Sequence, residues 1–241
     1  MSVRTEAFTY AIGDKTFAGY LAWDDARPGP LPGVVIVHEW MGPGPNVQRR
    51  ARMLAEIGYV GFAIDVYGVD VRPTDAGEAA VAMNDMVADP AALRTRLLAA
   101  VAHLRADKRV DSTRVAAIGY CFGGTTVLEM ARLGVELAGV VSFHGGLGAV
   151  GAVAPGPVKA KILACTGGED PFVPEKDVAS LEGMLRKAKA DWQVITYGGA
   201  KHSFSNPDAD AFAIEGLAYD RAADRRSWAA MKAFLEELFY R

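Results

Sequence analysis

Cysteine is scarce in this sequence. The 241 residues hold two, Cys121 and Cys165, which are too few for a disulfide framework, and neither sits in a Cys-x-x-Cys pair of the kind that holds zinc. No apolar stretch approaches the roughly 18 residues that would suggest a membrane span. Met1 to Tyr10 mixes Arg4, Glu6 and Thr9 with apolar residues and lacks the unbroken apolar core of a secretory signal. An excess of one charge is missing too. With a formal net charge of -3 there is no electrostatic reason to expect nucleic acid, and the basic cluster Arg49, Arg50 and Arg52 reads as a solvated helix face. These absences point to a reducing cytoplasm, no metal, no cofactor, and no nucleic-acid or membrane partner. Oligomeric state is left open between monomer and dimer.

A chain that is 51% hydrophobic and 23% charged has the balance of a soluble globular protein, and its length suits one substantial core. A single domain over 1–241 is expected. Two alternating stretches, Glu6 to Ile12 and Thr16 to Trp23, flank Gly13-Asp14, a strong hairpin-turn signal. The run Val34-Val35-Ile36-Val37 is β-branched and unbroken, as a strand buried on both faces should be.

From there strands and helices alternate. Val47, Ala51 and Leu54 mark a helix that ends at Gly58 and is followed by a strand over Tyr59 to Val66. Leu93, Leu97, Val101 and Leu104 mark a second helix leading to the strand Val115 to Tyr120. Further strands are expected at Leu137 to Phe143, Lys161 to Thr166 and Gln193 to Tyr197, with a helix over Glu175 to Ala190. A last helix carries Trp228, Met231, Leu235 and Leu238 on one face. This alternation implies an α/β fold, a mostly parallel sheet covered by helices on both faces, with the antiparallel hairpin at its edge. Val69 to Pro90 is the least regular stretch and reads as a surface excursion.

The chemistry centres on Gly119-Tyr120-Cys121-Phe122-Gly123-Gly124, placed where a strand gives way to a helix. This is the nucleophile-elbow pattern with cysteine in place of serine. Its glycines leave room for a cramped turn that lifts the nucleophile out at the carboxyl end of the sheet. The following helix N-terminus favours the thiolate, the reactive form of the side chain. Cys165, inside an apolar strand with no glycine frame, reads as a structural thiol.

A nucleophile needs a base, and the base needs an orienting acid. In this fold both follow the nucleophile, each in a loop after a strand. Asp170 meets that requirement in Gly167-Gly168-Glu169-Asp170-Pro171, and His202 meets it in Gly198-Gly199-Ala200-Lys201-His202. Glu169 is the rival acid. His103 lies near a helix C-terminus, and His144, at a strand end, precedes Asp170 and reads as a loop or substrate-proximal residue. The first buried strand runs into His38-Glu39-Trp40-Met41-Gly42, where a loop N–H normally completes the oxyanion hole, so Trp40 and Phe122 are the candidate donors. A carboxylate at Glu39 would be costly in a buried position without a partner, which favours a functional role.

Together these elements resemble the dienelactone hydrolase family over nearly the whole chain. The match runs through His38 to Gly42, Asp65-Val66-Tyr67-Gly68, Gly119 to Gly124, Gly168 to Pro174 and Gly199-Ala200-Lys201-His202-Ser203-Phe204. The resemblance implies an α/β-hydrolase fold and a Cys121, His202, Asp170 triad acting on a small ester or lactone. It also implies that Glu39 takes the thiol proton when substrate arrives. Tyr67, Phe204, Asn206 and His144 are then the substrate-binding candidates.

One departure bears on the substrate. Family members acting on carboxylated dienelactones carry an arginine shortly after the histidine, where this chain has the neutral Asn206; a second family arginine could correspond only to Arg72. Losing such a contact weakens recognition of an anion. That leaves open an esterase or thioesterase for neutral substrates and, in a different class, a redox-sensing or binding protein on the same fold.

Overall fold

The computed structural model describes residues 2–149 and 158–240, which fall into two compact units, Met1–Ala117 and Ile118–Arg241. In the first unit, β1 (Val3–Ile12) and β2 (Lys15–Asp24) form the expected hairpin. Ile12 stands opposite Lys15 across the turn, and Gly13 has φ +63. β2 then pairs antiparallel with β4 (Val60–Ile64), and β4 pairs parallel with β3 (Leu31–Val37). The strand order is β1-β2-β4-β3-β5, with β5 (Val110–Tyr120) running on into the second unit.

The β3 run is buried because both its faces are covered. Val34, Val35, Ile36 and Val37 are each 0% exposed, and each such aliphatic side chain contributes roughly 1.5–3 kcal/mol through burial. α1 (Pro45–Glu56) packs on β2 and β4 through Val47, Ala51 and Leu54, the stripe expected from the sequence. Arg50 departs from the expected solvated face, being 1% exposed. Helix α3 (Pro90–Ala106) buries Leu93, Leu97, Val101 and Leu104.

The stretch Val69 to Pro90 is more regular than its sequence suggests, because Ala76–Ala88 forms helix α2. Its signal lies at the end rather than in the periodicity. Asp75 accepts from the Glu78 N–H, and Glu78 reaches back to the Thr74 N–H and hydroxyl. Only the small Ala79 and Ala82 are buried, so no stripe of large apolar residues announces the helix.

In the second unit, β6 (Gly139–Phe143), β7 (Lys161–Gly167) and β8 (Trp192–Tyr197) run parallel beside the end of β5. α4 (Phe122–Arg132) and α6 (Arg221–Tyr240) pack on β6, and α5 (Glu175–Lys187) packs on β8. The buried line of α6 runs through Ser227, Met231 and Leu235, with Trp228 and Leu238 half-buried beside it. The architecture is the α/β-hydrolase fold, mostly parallel with an antiparallel N-terminal pair. Among the described residues no helix is long and apolar enough to cross a membrane.

The first unit ties its strand ends together with polar groups. Asp65 accepts from the Tyr67 and Gly68 N–H groups at 2.8 and 3.0 Å and binds the Arg72 guanidinium at 2.7 Å. Buried Arg96 donates to the Val66 and Tyr67 carbonyls while lying over the Phe17 ring. His38, at the end of β3, accepts from the Val66 N–H through Nε2 and donates through Nδ1 to the Glu39 carbonyl. Burial pushes its pKa down to about 4. The folded state therefore holds His38 neutral where the unfolded chain, at about 6.5, would protonate it. Its contribution is complete above about 6.5 and falls away as the pH drops toward 4. Denaturant midpoints of the wild type should decline over this window, and His38→Gln should flatten that decline; an equal decline in both proteins would contradict the assignment.

Candidate active site

Cys121 stands between β5 and α4 with φ +53 and ψ -117, a left-handed conformation costly for a residue with a side chain. The turn closes because nothing projects from Gly119, where a Cβ would stand 2.0 Å from the Gly123 carbonyl oxygen. The Cys121 carbonyl accepts from the N–H groups of Gly124 and Thr125, and its N–H donates to the Phe143 carbonyl at 3.0 Å and to His144 Nδ1 at 3.1 Å. The backbone is thus fixed on both sides, and Cys121 as a residue is half-buried. Phe122 opens α4, so its N–H is carried at the positive end of the helix dipole.

The loops after β7 and β8 bring the other two groups to the thiol. His202 Nε2 lies 3.1 Å from Cys121 Sγ, and His202 Nδ1 lies 2.7 Å from Asp170 Oδ2. The second Asp170 oxygen accepts from the Phe172 N–H at 2.9 Å, which fixes the carboxylate plane. The His202 backbone is held by the Gly216 carbonyl and the Ala218 N–H. Asp170 and His202 are 5% and 7% exposed, whereas Glu169 is on the surface, so geometry gives the imidazole to Asp170.

Burial by itself would lower the His202 pKa, but the Cys121 thiolate and the hydrogen-bonded Asp170 carboxylate act the other way and raise it to about 10. The arrangement therefore favours a protonated imidazole beside the Cys121 sulfur. It can deliver a nucleophile on one side of a reacting carbon and a proton to the departing group on the same side.

The remaining candidates are engaged with the protein. Both ring nitrogens of His144 are taken, by the Cys121 N–H and by Ser205 Oγ at 2.8 Å. Phe204 is fully buried, edge-on to His144 with ring centroids 5.1 Å apart. Asn206 is 4% exposed and accepts from the Asp208 N–H. Glu39, Trp40 and Tyr67 belong to the first unit, where the Tyr67 hydroxyl donates to the Trp40 carbonyl at 2.8 Å. Arg72 spends its guanidinium there on Asp65 and on the Gly68 and Val71 carbonyls.

Sequence reasoning missed Phe172, which is 52% exposed and presents its ring to the edge of His202 at 5.3 Å. The apolar position directly after the Asp-Pro step was the available signal. A cavity of about 740 Å³ opens at the Asp170 loop, lined by Thr166, Glu169, Val173, Val178 and Glu182, but neither Cys121 nor His202 lines it. Among the described residues no group of three or more His, Cys, Asp or Glu side chains is placed to hold a metal ion.

The sequence profile described as the Dienelactone hydrolase family matches residues 17–239. A crystal structure of a dienelactone hydrolase-like promiscuous phosphotriesterase from metagenomic libraries superposes with a TM-score of 0.93 at 37% identity, covering 99% of each chain. A "Putative carboxymethylenebutenolidase" of Escherichia coli (strain K12) is 30% identical over 193 residues, covering 75% of this chain and 71% of that protein. Another protein of the same name from Synechocystis sp. (strain ATCC 27184 / PCC 6803 / Kazusa) is 26% identical and covers 98% of both.

Asp170→Asn should leave the imidazole without its anionic partner and in the wrong tautomer. Turnover of an activated ester should then fall by about 10²–10⁴-fold. Because His202 is raised, wild-type kcat/KM for an ester with a poor leaving group should decline only as the pH rises through about 10. That limb should move to lower pH in Asp170→Asn; pH–rate profiles of the two proteins check both statements.

Proposed function

This chain belongs to the dienelactone hydrolase family, and from that premise we propose that it hydrolyses an ester or lactone through an acyl-cysteine formed on Cys121. The observation that carries the reading is the continuous relay Cys121 Sγ, His202 Nε2, His202 Nδ1, Asp170 Oδ2, with contacts of 3.1 and 2.7 Å.

In this scheme the thiolate sulfur attacks the acyl carbon and the carbonyl electrons move onto oxygen. The Phe122 N–H, at the head of α4, is assigned to that oxyanion. Collapse of the adduct expels the alkoxide, which takes the proton held at His202 Nε2. The neutral imidazole then removes a proton from water, hydroxide adds to the thioester, and the carboxylic acid leaves as Cys121 recovers its charge. Asp170 keeps the ring in the tautomer and orientation both half-reactions need.

For the acyl group, the reading favours an uncharged substrate. Asn206 is neutral, buried and bonded to its own loop, and the Arg72 guanidinium is committed to Asp65. A carboxylated lactone would find no uncommitted cation at either position. Comparing a carboxylated dienelactone with its methyl ester tests this directly, with the methyl ester expected to show the higher kcat/KM.

A second reading draws on the 37% identical phosphotriesterase neighbour. The same sulfur could displace p-nitrophenolate from a neutral phosphotriester by in-line attack, forming an S–P bond as the P–O bond breaks, with a leaving group that needs no proton from His202. Paraoxon turnover measured beside p-nitrophenyl acetate compares the two.

The central test is a p-nitrophenyl ester assay. A burst of nitrophenolate equal to the enzyme concentration is expected, abolished by iodoacetamide and by Cys121→Ala. Turnover surviving in Cys121→Ala would remove Cys121 from the chemistry, and no turnover with any short ester or lactone would favour a sensory thiol instead.

A further inference from the structure

The second histidine near Cys121 remains without a part in this chemistry. His144 is 0% exposed and lies at the end of β6 with φ +40, a strained conformation for a β-substituted residue. Its own N–H donates to the Cys165 carbonyl at 2.8 Å. Its ring faces the edge of His202, with centroids 5.4 Å apart, and the edge of Phe204.

The hydrogen bonds define its protonation. A backbone N–H can only donate, so His144 Nδ1, 3.1 Å from the Cys121 nitrogen, must carry a lone pair. In the neutral ring the single proton then sits on Nε2, which donates to Ser205 Oγ at 2.8 Å. One rigid ring thereby spans two separate pieces of chain: the strained nucleophile backbone and the turn Ser203-Phe204-Ser205-Asn206 that follows His202. That turn is itself closed by the Asn206 N–H to the Ser203 carbonyl, with Ser203 at φ +59.

We infer that His144 is a positioning residue: with Nδ1 accepting from the Cys121 N–H and Nε2 donating to Ser205, it braces the Cys121 backbone against the loop carrying His202 and so sets the sulfur-to-imidazole distance. The inference rests on the reading of Cys121 as nucleophile. A ring protonated on Nδ1 would oppose two donors, N–H against N–H, and release the brace. The alternative is that His144 only fills space, in which case any ring of similar size would serve.

The variants separate these. His144→Phe keeps the bulk and loses both hydrogen bonds. Since misplacement of a reacting group by about 1 Å costs on the order of 100-fold in rate, kcat for a p-nitrophenyl ester should fall about 10–100-fold with KM little changed. Iodoacetamide alkylation of Cys121 should slow alongside it. His144→Asn, whose amide oxygen can still accept from the Cys121 N–H but does not span to Ser205, should regain part of both rates, and Ser205→Ala, which keeps the ring and removes its second anchor, should slow both. Equal loss in the Asn and Phe variants, a Phe variant that reacts like the wild type, or an undiminished Ser205→Ala would overturn the brace.

A direct measurement on the wild type covers the case in which these variants do not fold. Ring ¹⁵N–¹H correlation spectra should show His144 protonated on Nε2 and bare at Nδ1, with the Nε2–H resonance shifting when its acceptor is removed in Ser205→Ala. A proton on Nδ1 in the wild type would refute the assignment. If the wild type turned over no ester while the spectra and alkylation rates behaved as stated, the hydrolase reading would fail and the brace would stand.

Discussion

The left-handed backbone at Cys121 is the constraint around which the second unit is arranged. A side-chain-bearing residue held at φ +53 costs about 1–3 kcal/mol and persists only where its surroundings over-determine it. Here they do. The Cys121 carbonyl is fixed by the first turn of α4, its N–H by the end of β6 and by His144, and the space beneath it exists because residue 119 has no side chain. His144 and Ser203 are in the left-handed region as well, so strained backbone gathers where sulfur, imidazole and carboxylate must meet.

Electrostatics then gives two buried histidines opposite characters. At His38 burial dominates: its partners are a backbone N–H and a carbonyl, which suit the neutral ring, and the proton affinity falls. His202 is almost as buried, but it lies between a sulfur and a carboxylate, and its interactions with these two neighbours outweigh the desolvation. The difference comes from the neighbours rather than from depth. It makes one histidine a neutral strut between strand ends and leaves the other with a raised proton affinity beside Cys121.

Polar groups recur as fasteners rather than as exposed recognition elements. Arg72 and Arg96 bind carbonyls and Asp65 to hold the Asp65–Gly68 turn, Tyr67 ties that turn to Trp40, and Asn206 closes its own loop. Several residues that look available for a ligand in sequence are therefore already bonded within the protein. The exposed ring of Phe172 beside His202 gives the triad an apolar border instead.

Much of this was legible in the chain itself. Alternation and apolar runs located the hairpin, β3 and the later strands, because burial on one or both faces imprints a period on the residues. The elbow, Asp170 and His202 were legible because that chemistry requires particular residue types in a particular order at strand ends. Helix α2 was not, as its face is built from alanine and its cap from local hydrogen bonds. The burial of Arg50 and the roles of His144 and Ser205 were also out of reach. His144 and Ser205 are 61 residues apart, and no local pattern records that a ring nitrogen accepts from one backbone while its opposite nitrogen donates to another loop. The sequence by itself determined which groups could do chemistry; tertiary structure decided which of them are free to, because only folding sets which hydrogen bonds are already made.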